Sequence, residues 1–327
     1  MRRFFLGFVF VFAGIFLVSC SLESCKENPS GDSFVSVVNW NVQTFFDSQT
    51  SGSEYSNFRN SVYWDEEKYR TRLKRLCDVI TILDANIFIF EEIENEGILY
   101  DIYNQLSGNS WNQNKIWNYG SFYKDENSSI GLAALSKIPL EDMKIHSMDI
   151  RIMDENQPSS RPTLELKISL DGKDLFLFVN HWKSKVSGIQ QGEIWRQWQE
   201  FVLSKNILQK ERFLICGDFN KDIDEFIWKE ENSKLKICLR NDENNICVFS
   251  PWINNDKTFT TKIGSYYYKE NWERIDNFFI NDNITFQKFE VCTNGEWITD
   301  ENIPKSYKIF TGEGFSDHLP IMCKIGL

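Results

Sequence analysis

The strongest constraint on the fold is a repeated pattern in which a short apolar run ends in polar or charged residues. The runs are mostly Val, Ile, Leu and Phe without polar alternation, so they predict strands that are buried on both faces. They lie at 34–41, 87–91, 130–135, 163–169, 175–180, 213–216 and 275–280. Because helices or a second sheet must cover both faces of such strands, the pattern predicts an α/β or α+β domain.

Two segments between these strands have the spacing of amphipathic helices. Residues 66–83 carry an apolar stripe formed by Tyr69, Leu73, Leu76, Val79, Ile80 and Leu83. Residues 189–208 predict a second helix, with a core-facing side that we expect to consist of Ile194, Trp198, Phe201, Val202 and Leu208. Strands and helices alternate without an internal repeat, which indicates one domain over residues 34–327.

Residues 1–19 have the layout of an export signal. Arg2 and Arg3 precede an apolar run at 4–18, which is short for a membrane span because a span needs roughly 20 residues. The run ends in Leu-Val-Ser-Cys, which resembles the lipobox of bacterial lipoproteins and implies cleavage before Cys20 and acylation of its thiol. The alternative is an ordinary secretory signal with an incidental cysteine.

Residues 20–33 are polar and contain Pro29 and Gly31, as expected of a flexible tether between lipid and domain. The sequence therefore predicts an exported protein that a lipid holds on the periplasmic or surface face of a bacterial membrane. We expect it to be a monomer.

The charge of the chain limits how it can bind phosphate. A formal charge of -11 excludes a protein that coats nucleic acid with a broad basic face. A phosphate-bearing substrate must then be attracted locally, and a divalent cation can do this because it outweighs nearby carboxylates at short range.

The cysteines do not form a zinc motif. With Cys20 assigned to lipid, seven of the eight cysteines remain, and an odd number excludes complete pairing. Their spacing contains no Cys-x2-Cys pair, and the chain has 3 histidines. Cys238 and Cys247 flank a polar segment and would close a hairpin in an oxidising compartment.

Residues suited to catalysis gather where the apolar runs end. Polar clusters occur at 39–43, 91–94, 180–183, 217–220 and 274–277, and a sixth occupies 316–320. Each cluster alone would be weak evidence, since such residues commonly cap helices or face solvent. Together they supply carboxylate and amide oxygens for a hard cation, and imidazoles that can move a proton or stabilise developing charge.

Seven of these segments resemble motifs of the endonuclease/exonuclease/phosphatase superfamily, which has the DNase I-like fold. In order they are WNVQ at 40–43, EEIEN at 91–95, LSKIPL at 135–140, NHWKSK at 180–185, GDFN at 217–220, RIDNFF at 274–279 and SDHLP at 316–320. The resemblance covers about residues 34–326. It implies a four-layer sandwich of two mixed β-sheets flanked by helices, with an active site at one edge.

The resemblance also implies a role for each matching residue. The metal-binding residues would be Glu92, the supporting Asn41, and Asp317. The catalytic residues would be Asp218 for the nucleophilic water, Asn220 for the scissile phosphate, His318 at the phosphate with Asp276 as its carboxylate partner, and His181 for proton transfer to the leaving oxygen. The expected cofactor is Mg²⁺, with Mn²⁺ or Ca²⁺ as alternatives.

The chain departs from the superfamily pattern in two places. Gln43 stands where many members carry aspartate, which puts a second metal position in doubt. No glutamate can be assigned by alignment as the partner of His181. Glu91 and Glu94 flank Glu92, and its place in the motif favours Glu92 as the metal ligand.

The superfamily resemblance fixes the bond type but not the substrate, because its members include nucleases, inositol polyphosphate phosphatases and sphingomyelinases. A nuclease that cleaves DNA or RNA is favoured, since four basic residues near the motifs can contact a phosphate backbone: Arg161, Lys183, Lys185 and Arg196. These could instead be scattered surface charges. Trp40, Trp182 and Tyr266 to Tyr268 could stack bases or simply pack.

Two alternatives to a nuclease remain at this point. One is a sphingomyelinase or other phospholipid or inositol-phosphate phosphoesterase, because a lipid anchor would keep it near such a substrate. The other is a non-catalytic surface lipoprotein. The complete set of motif residues argues against the second alternative, since a decayed enzyme should have lost some of them.

Overall fold

The computed structural model describes residues 10–11, 34–60, 62–109, 116–147, 161–185, 189–241 and 246–327. The predicted lipidation site Cys20 and the tether at 20–33 lie outside these residues, as does most of the predicted signal peptide.

The described strands, in chain order, are β1 (Phe10–Val11), β2 (Phe34–Phe45), β3 (Ile87–Ile93), β4 (Tyr119–Tyr123), β5 (Gly131–Ser136), β6 (Glu141–His146), β7 (Thr163–Leu170), β8 (Lys173–His181), β9 (Phe213–Asp218), β10 (Ile227–Glu231), β11 (Lys234–Leu239), β12 (Ile246–Val248), β13 (Tyr266–Tyr268), β14 (Asn271–Glu273), β15 (Asp276–Ile280), β16 (Thr285–Val291) and β17 (Ile321–Gly326). The described α-helices are α1 (Glu66–Leu83), α2 (Glu96–Asn109) and α3 (Ile189–Ile207), and a short 3-10 turn covers Ile223–Glu225.

Two mixed sheets form the centre of the molecule. The first has the order β1-β4-β5-β3-β2-β17-β16, with β2 and β3 parallel and β17 antiparallel to β2. The second has the order β15-β9-β8-β7-β6, with β8 and β9 parallel and β15 antiparallel to β9. Two smaller antiparallel units, β10-β11-β12 and β13-β14, lie outside them.

The alternation of side chains along the strands produces two cores. Val37 and Ile89 face the second sheet and pack with residues such as Leu177 and Ile215. Their neighbours Val38, Trp40, Phe88 and Phe90 point to the opposite face, where they pack with Leu73, Ile80 and Ile98 of α1 and α2. Leu203 and Ile207 of α3 join the core that includes the second sheet. The predicted DNase I-like sandwich is therefore confirmed.

Helix α1 has clear start and stop signals. Asp65 caps its first turn by accepting a hydrogen bond from Lys68 N at 2.9 Å, and Asp84 ends it in the left-handed region at φ 48°. The predicted stripe is buried from Tyr69 to Ile80, and Arg72 is buried with it. The described residues contain no helix long and apolar enough to cross a membrane.

The predicted inward face of α3 is wrong at its two ends, Ile194 and Leu208, whereas Trp198 and Val202 are partly buried and pack against Trp195. Ile194 is 54% exposed, whereas Arg196, Gln199 and Glu200 are buried. The polar side chains turn inward because each finds a buried partner; Glu200, for example, accepts a hydrogen bond from Lys221 at 3.0 Å. Apolar spacing alone therefore does not define the inward side of this helix.

Cys238 and Cys247 lie opposite each other on β11 and β12, with their Sγ atoms 2.8 Å apart as free thiols. A disulfide between them remains a prediction that depends on the compartment.

Candidate active site

Several strands carry polar residues to one edge of the sandwich. β2 and β3 run parallel, and so do β8 and β9, in which His181 lies opposite Asp218. Asp276 at the start of the antiparallel strand β15 also lies opposite Asp218, and His318 precedes β17. Because parallel strands place their carboxyl ends at the same edge, polar segments that are far apart in sequence meet there.

The carboxylate of Asp218 is the centre of this edge. Asn41 Nδ2 donates to Asp218 Oδ2 at 3.1 Å and to Glu92 Oε1 at 3.2 Å. His181 Nε2 lies 3.7 Å from both Asp218 Oδ2 and Glu92 Oε1. His318 Nε2 lies 4.0 Å from Asp218 Oδ2. Five of the predicted site residues therefore surround one point.

Glu92 reaches this point because β3 bulges near its end. The register between β3 and β5 shifts between Glu91 and Ile93, and Glu92 takes a left-handed backbone at φ 67°. Such a conformation is costly for a residue with a Cβ atom and is one of the strained conformations that cluster at functional sites. The bulge turns Glu92 towards Asn41 and leaves Glu91 fully buried between the sheets.

The end of β2 is held by Arg72, for which the sequence pattern indicates no role. Gln43 and Thr44 have left-handed backbones at φ 51° and 49°, and Thr44 N donates to Glu92 Oε2 at 2.6 Å. The buried guanidinium of Arg72 donates to the carbonyls of Val42 at 2.8 Å and Thr44 at 3.0 Å, and also to that of Gln43. A lone arginine in the apolar stripe of α1 is the sequence signal that could have revealed this brace.

Gly217 allows Asp218 to approach β8. Its φ is 142°, and a Cβ atom there would lie 2.0 Å from the carbonyl oxygen of Asn180. Only glycine fits such a close backbone approach. Asn220 then fixes the Asp218 side chain, because its N–H donates to Asp218 Oδ1 at 2.8 Å while its own amide donates to Trp182 O at 3.2 Å.

His318 is fixed by several hydrogen bonds. Its Nδ1 lies 2.8 Å from Asp276 Oδ2, and its carbonyl accepts from Trp40 Nε1 at 2.9 Å. Its backbone N–H donates to Ser316 Oγ at 3.1 Å, and Trp252 Nε1 donates to the Asp276 carbonyl at 2.9 Å. Trp40 therefore supports the imidazole from inside the core, where it is 2% exposed, rather than offering a face for a base.

The two imidazoles have opposite electrostatic environments. Burial lowers the pKa of His318, but the carboxylates of Asp276 and Asp218 outweigh it and hold that pKa well above its usual value. Burial and the neighbouring Arg161 hold the pKa of His181 well below its usual value. Arg161 Nη1 lies 2.5 Å from His181 Nε2, and because guanidinium can only donate, His181 Nε2 accepts.

Comparison with known proteins identifies the family that this geometry belongs to. Residues 36–326 match the Endonuclease/Exonuclease/phosphatase family. The chain belongs to this family. No curated protein matches the chain significantly in sequence.

Solved structures of low identity share the fold. Truncated Caenorhabditis elegans TDP2 has 16% identity and a TM-score of 0.53, with 90% of this chain and 98% of that chain covered. The human Nocturnin catalytic domain with bound sulfate has 13% identity and a TM-score of 0.54, with 90% and 97% covered. Danio rerio TDP2 complexed with a single-strand DNA product has 13% identity and a TM-score of 0.51, with 90% and 100% covered.

Family enzymes use divalent metals, and the site fits a cation. Burial and Asp276 raise the pKa of Asp218 to about 7, although His318 opposes this shift. Burial also raises the pKa of Asp317 and that of Glu91. Among the described residues, Asp276 Oδ1 and both carboxylate oxygens of Glu91 have no hydrogen-bond partner. An excess of buried carboxylate without enough donors is the environment that a divalent cation relieves.

The oxygen donors predicted for a metal lie on the Glu92 side of the site. Asn41 and Glu92 are in contact. Burial raises the pKa of Asp317, and the nearby carboxylate of Glu92 raises it further. Asp218, Asp276 and His318 also have ligand atoms within 4.8 Å of one another. Because His318 Nδ1 is already bonded to Asp276, we interpret those two residues as a hydrogen-bonded pair and not as metal ligands. Asp218 lies between this pair and the oxygen donors of Asn41 and Glu92.

The basic residues predicted for phosphate binding divide into two groups. Arg161 lies against His181, and Lys183 follows it on the same loop, where burial and Arg161 lower the pKa of Lys183. Lys185 is already paired with Glu225 at 2.6 Å and lies 3.5 Å from Glu273.

Arg196 has a different role from the one the sequence predicts. The prediction is a phosphate contact, but the side chain is 3% exposed, and its guanidinium donates to Lys183 O at 3.0 Å and to Glu193. Gln199 likewise accepts from Lys183 N at 2.8 Å and donates to Arg161 O at 3.1 Å. Arg196 and Gln199 therefore position the loop that carries Lys183 instead of contacting phosphate.

Proposed function

We propose that this family member is a metal-dependent phosphodiesterase that cleaves a nucleic acid. The observation that carries the proposal is the meeting of Asn41, Glu92, His181, Asp218 and His318 around one point, within 4.0 Å of a neighbour in each case. A binding protein has no need for a cationic and a neutral imidazole beside a cluster of buried carboxylates, whereas an enzyme that must deprotonate water and stabilise developing charge does.

Each residue has a task that follows from its environment. Asp218, with its pKa near 7, can accept the proton of an attacking water at neutral pH. His318 is cationic and held by Asp276, so it can stabilise the negative charge that develops on the phosphate oxygens. A bound divalent metal would be held by Glu92, Asn41 and Asp317 and would supply Lewis-acid polarisation of the phosphate.

Arg161 assists on the leaving-group side through His181. Since His181 Nε2 accepts from Arg161, the guanidinium and not the imidazole carries the positive charge there. Arg161 can therefore stabilise a leaving oxygen by hydrogen bonding. His181, whose Nε2 lies 3.7 Å from both Glu92 and Asp218, keeps the guanidinium in place.

A nucleic acid is the substrate best supported. Arg161 and Lys183 lie beside the reaction centre of an otherwise acidic chain, so they can contact a phosphate backbone locally. Danio rerio TDP2, which shares the fold, binds a single-strand DNA product. In this proposal the protein is exported, anchored through Cys20 to a bacterial membrane, and acts as a monomer. The support for that location is the sequence of residues 1–33.

An assay panel tests the function. Purified protein with Mg²⁺ or Mn²⁺ is incubated with DNA, RNA, sphingomyelin and inositol phosphates, with and without EDTA. We expect metal-dependent cleavage of DNA or RNA. Turnover of sphingomyelin without turnover of either nucleic acid would replace this proposal with a phospholipid phosphodiesterase. A Cys20→Ser variant that stays membrane-bound in cells would contradict the anchor.

A further inference from the structure

An aromatic row begins at the catalytic imidazole and runs outward. Tyr266 forms a backbone bridge with His318, and their rings lie 4.8 Å apart. The ring of Tyr268 lies 6.2 Å from that of Tyr266 and is tilted from it by 18°. The two tyrosines share one face of β13 because side chains alternate along a strand. Tyr267, on the other face, packs against Trp272 at 4.9 Å.

The row is rigidly joined to the site. Leu319 N, next to His318, donates to Ser265 O at 2.7 Å, and Ser265 Oγ accepts from Asp276 N at 3.2 Å. The strand that carries the row is therefore bonded on one side to the residue after His318 and on the other to its carboxylate partner. A ligand held by the row would have a fixed position relative to the reacting phosphate.

Packing alone does not explain the outer ring. Tyr268 is 49% exposed, so its ring is not buried by the fold. Tyr267, its neighbour in sequence, is the residue that packs, because its ring contacts Trp272 on the other face of β13. Lys269 Nζ lies 5.0 Å from the centre of the Tyr268 ring and gives the outer end of the row a positive charge. A flat apolar surface between a phosphate site and a cation matches the order of groups along a nucleotide chain, in which bases and phosphates alternate.

We propose that Tyr266 and Tyr268 form a stacking subsite for an unpaired base next to the scissile phosphodiester, so that the enzyme prefers single strands to duplexes. The base must be unpaired because a paired base is already stacked between its neighbours and does not offer its face to a side chain. This proposal rests on the proposed nuclease function and specifies its substrate.

The test compares two single-stranded oligonucleotides of equal length, one with normal bases and one in which abasic sites flank the cleavable linkages. For the wild-type protein we expect kcat/KM to be higher on the normal strand, by on the order of 10-fold, which is the usual effect of one stacked base. The variant Tyr268→Ala should lose this advantage through a higher KM, and Tyr268→Phe should retain it because the ring remains.

A matched control removes an exposed ring elsewhere. Phe34 is 41% exposed at the opposite end of β2 from Asn41, and Phe34→Ala should leave kcat/KM on both strands unchanged. If Tyr268→Ala lowers activity equally on normal and abasic strands, the tyrosine supports the fold and the subsite is rejected. The subsite is also rejected if the wild type cleaves both strands equally well, or if it cleaves the normal strand faster once that strand is annealed to its complement.

These outcomes separate the subsite from the function it depends on. Metal-dependent cleavage of the abasic strand confirms a phosphodiesterase whether or not a base matters. If the protein is folded by circular dichroism but cleaves neither strand, the proposed nuclease function itself is rejected.

Discussion

Two pairs of a carboxylate and an imidazole among the described residues look alike in distance but differ in surroundings. At the site edge, Asp276 Oδ2 lies 2.8 Å from His318 Nδ1. In the outer strands of the second sheet, Glu165 Oε2 lies 2.7 Å from His146 Nε2. We call the second group, Glu165 with His146, Lys210 and Lys144, the remote cluster.

The remote cluster is electrostatically satisfied. Glu165 receives Lys210 Nζ at 2.5 Å in addition to His146, and Lys144 Nζ lies 3.8 Å away. Burial raises the pKa of Glu165, but hydrogen bonds from His146 and Lys210 outweigh it and lower that pKa to about 2. A carboxylate with this many donors stabilises the fold and has no spare charge for a ligand.

The site edge has the opposite balance. Its carboxylates outnumber their donors, so burial and mutual repulsion raise the pKa of Asp218 to about 7. An acid beside a histidine is therefore not itself evidence of catalysis. The distinguishing feature is an unbalanced charge that a cation and a substrate must complete.

The largest expected difference between the clusters is in turnover. Replacing His318 by alanine should lower kcat by at least about 10²-fold, because a positioned acid–base group contributes that much. Asp218→Ala should have an effect of similar size. His146→Ala should leave kcat unchanged when it is assayed well below its melting temperature. Wild-type turnover in His318→Ala, or a comparable loss of turnover in His146→Ala, would contradict the assignment of catalysis to the site edge and not to the remote cluster.

The next difference concerns metal binding without turnover. Mg²⁺ at 100 times its Kd should stabilise the folded protein by about 2.7 kcal/mol, since only the folded state assembles the site. Thermal melting should show this gain for the wild type and for Glu165→Gln, but not for Glu92→Ala. Equal stabilisation of all three proteins would place the metal away from Glu92.

A smaller effect distinguishes the carboxylates by pH. Glu165→Gln should destabilise the protein by about 2 kcal/mol at neutral pH, because hydrogen bonds to a charged group are lost. The folded pKa of Glu165, about 2, lies below its ordinary value of 4.5. The stabilisation that the ionised Glu165 provides is therefore complete above pH 4.5 and is lost as the pH falls towards 2. Urea unfolding of both proteins over that range measures the loss.

Asp218→Asn is the matched control, with the opposite sign. The folded pKa of Asp218, about 7, lies above its ordinary value of 3.8, so ionising this carboxyl costs stability as pH rises. The asparagine variant should be at least as stable as the wild type in metal-free buffer above neutral pH. A destabilised Asp218→Asn protein would show that Asp218 is structurally satisfied, like Glu165.

Sequence predicts those parts of the molecule in which local pattern and tertiary need agree. The strands buried on both faces and α1 follow from apolar spacing, and α1 is predicted at its observed bounds, Glu66–Leu83. The convergence of Asn41, Glu92, Asp218 and His318 is predicted by motif order, because the first three lie near the ends of apolar strands and His318 immediately precedes one.

Sequence fails where side chains are buried for their polar bonds. Arg196 and Gln199 face inward because backbone groups of the Lys183 loop need partners, and Arg72 does so because three successive carbonyls at 42–44 need donors. These partners come from distant parts of the chain, so no local period reveals them. The same holds for Glu165, whose lysine partner is 45 residues away.

The smallest expected difference compares one lysine from each region. Lys183 is partly buried beside Arg161 at the site, whereas the side chain of Lys144 in the remote cluster is 58% exposed. If Lys183 contacts a substrate phosphate, Lys183→Ala should reduce the slope of log Kd against log salt concentration by about 1, because one fewer counterion is released. Lys144→Ala should leave the slope unchanged even though it removes the same charge from the same acidic chain.

Fluorescence anisotropy with a labelled single strand, in an Asp218→Asn background that prevents cleavage, measures both slopes. Equal slopes for the two variants would mean that net charge alone governs binding, and Lys183 would then have no place in the phosphate site.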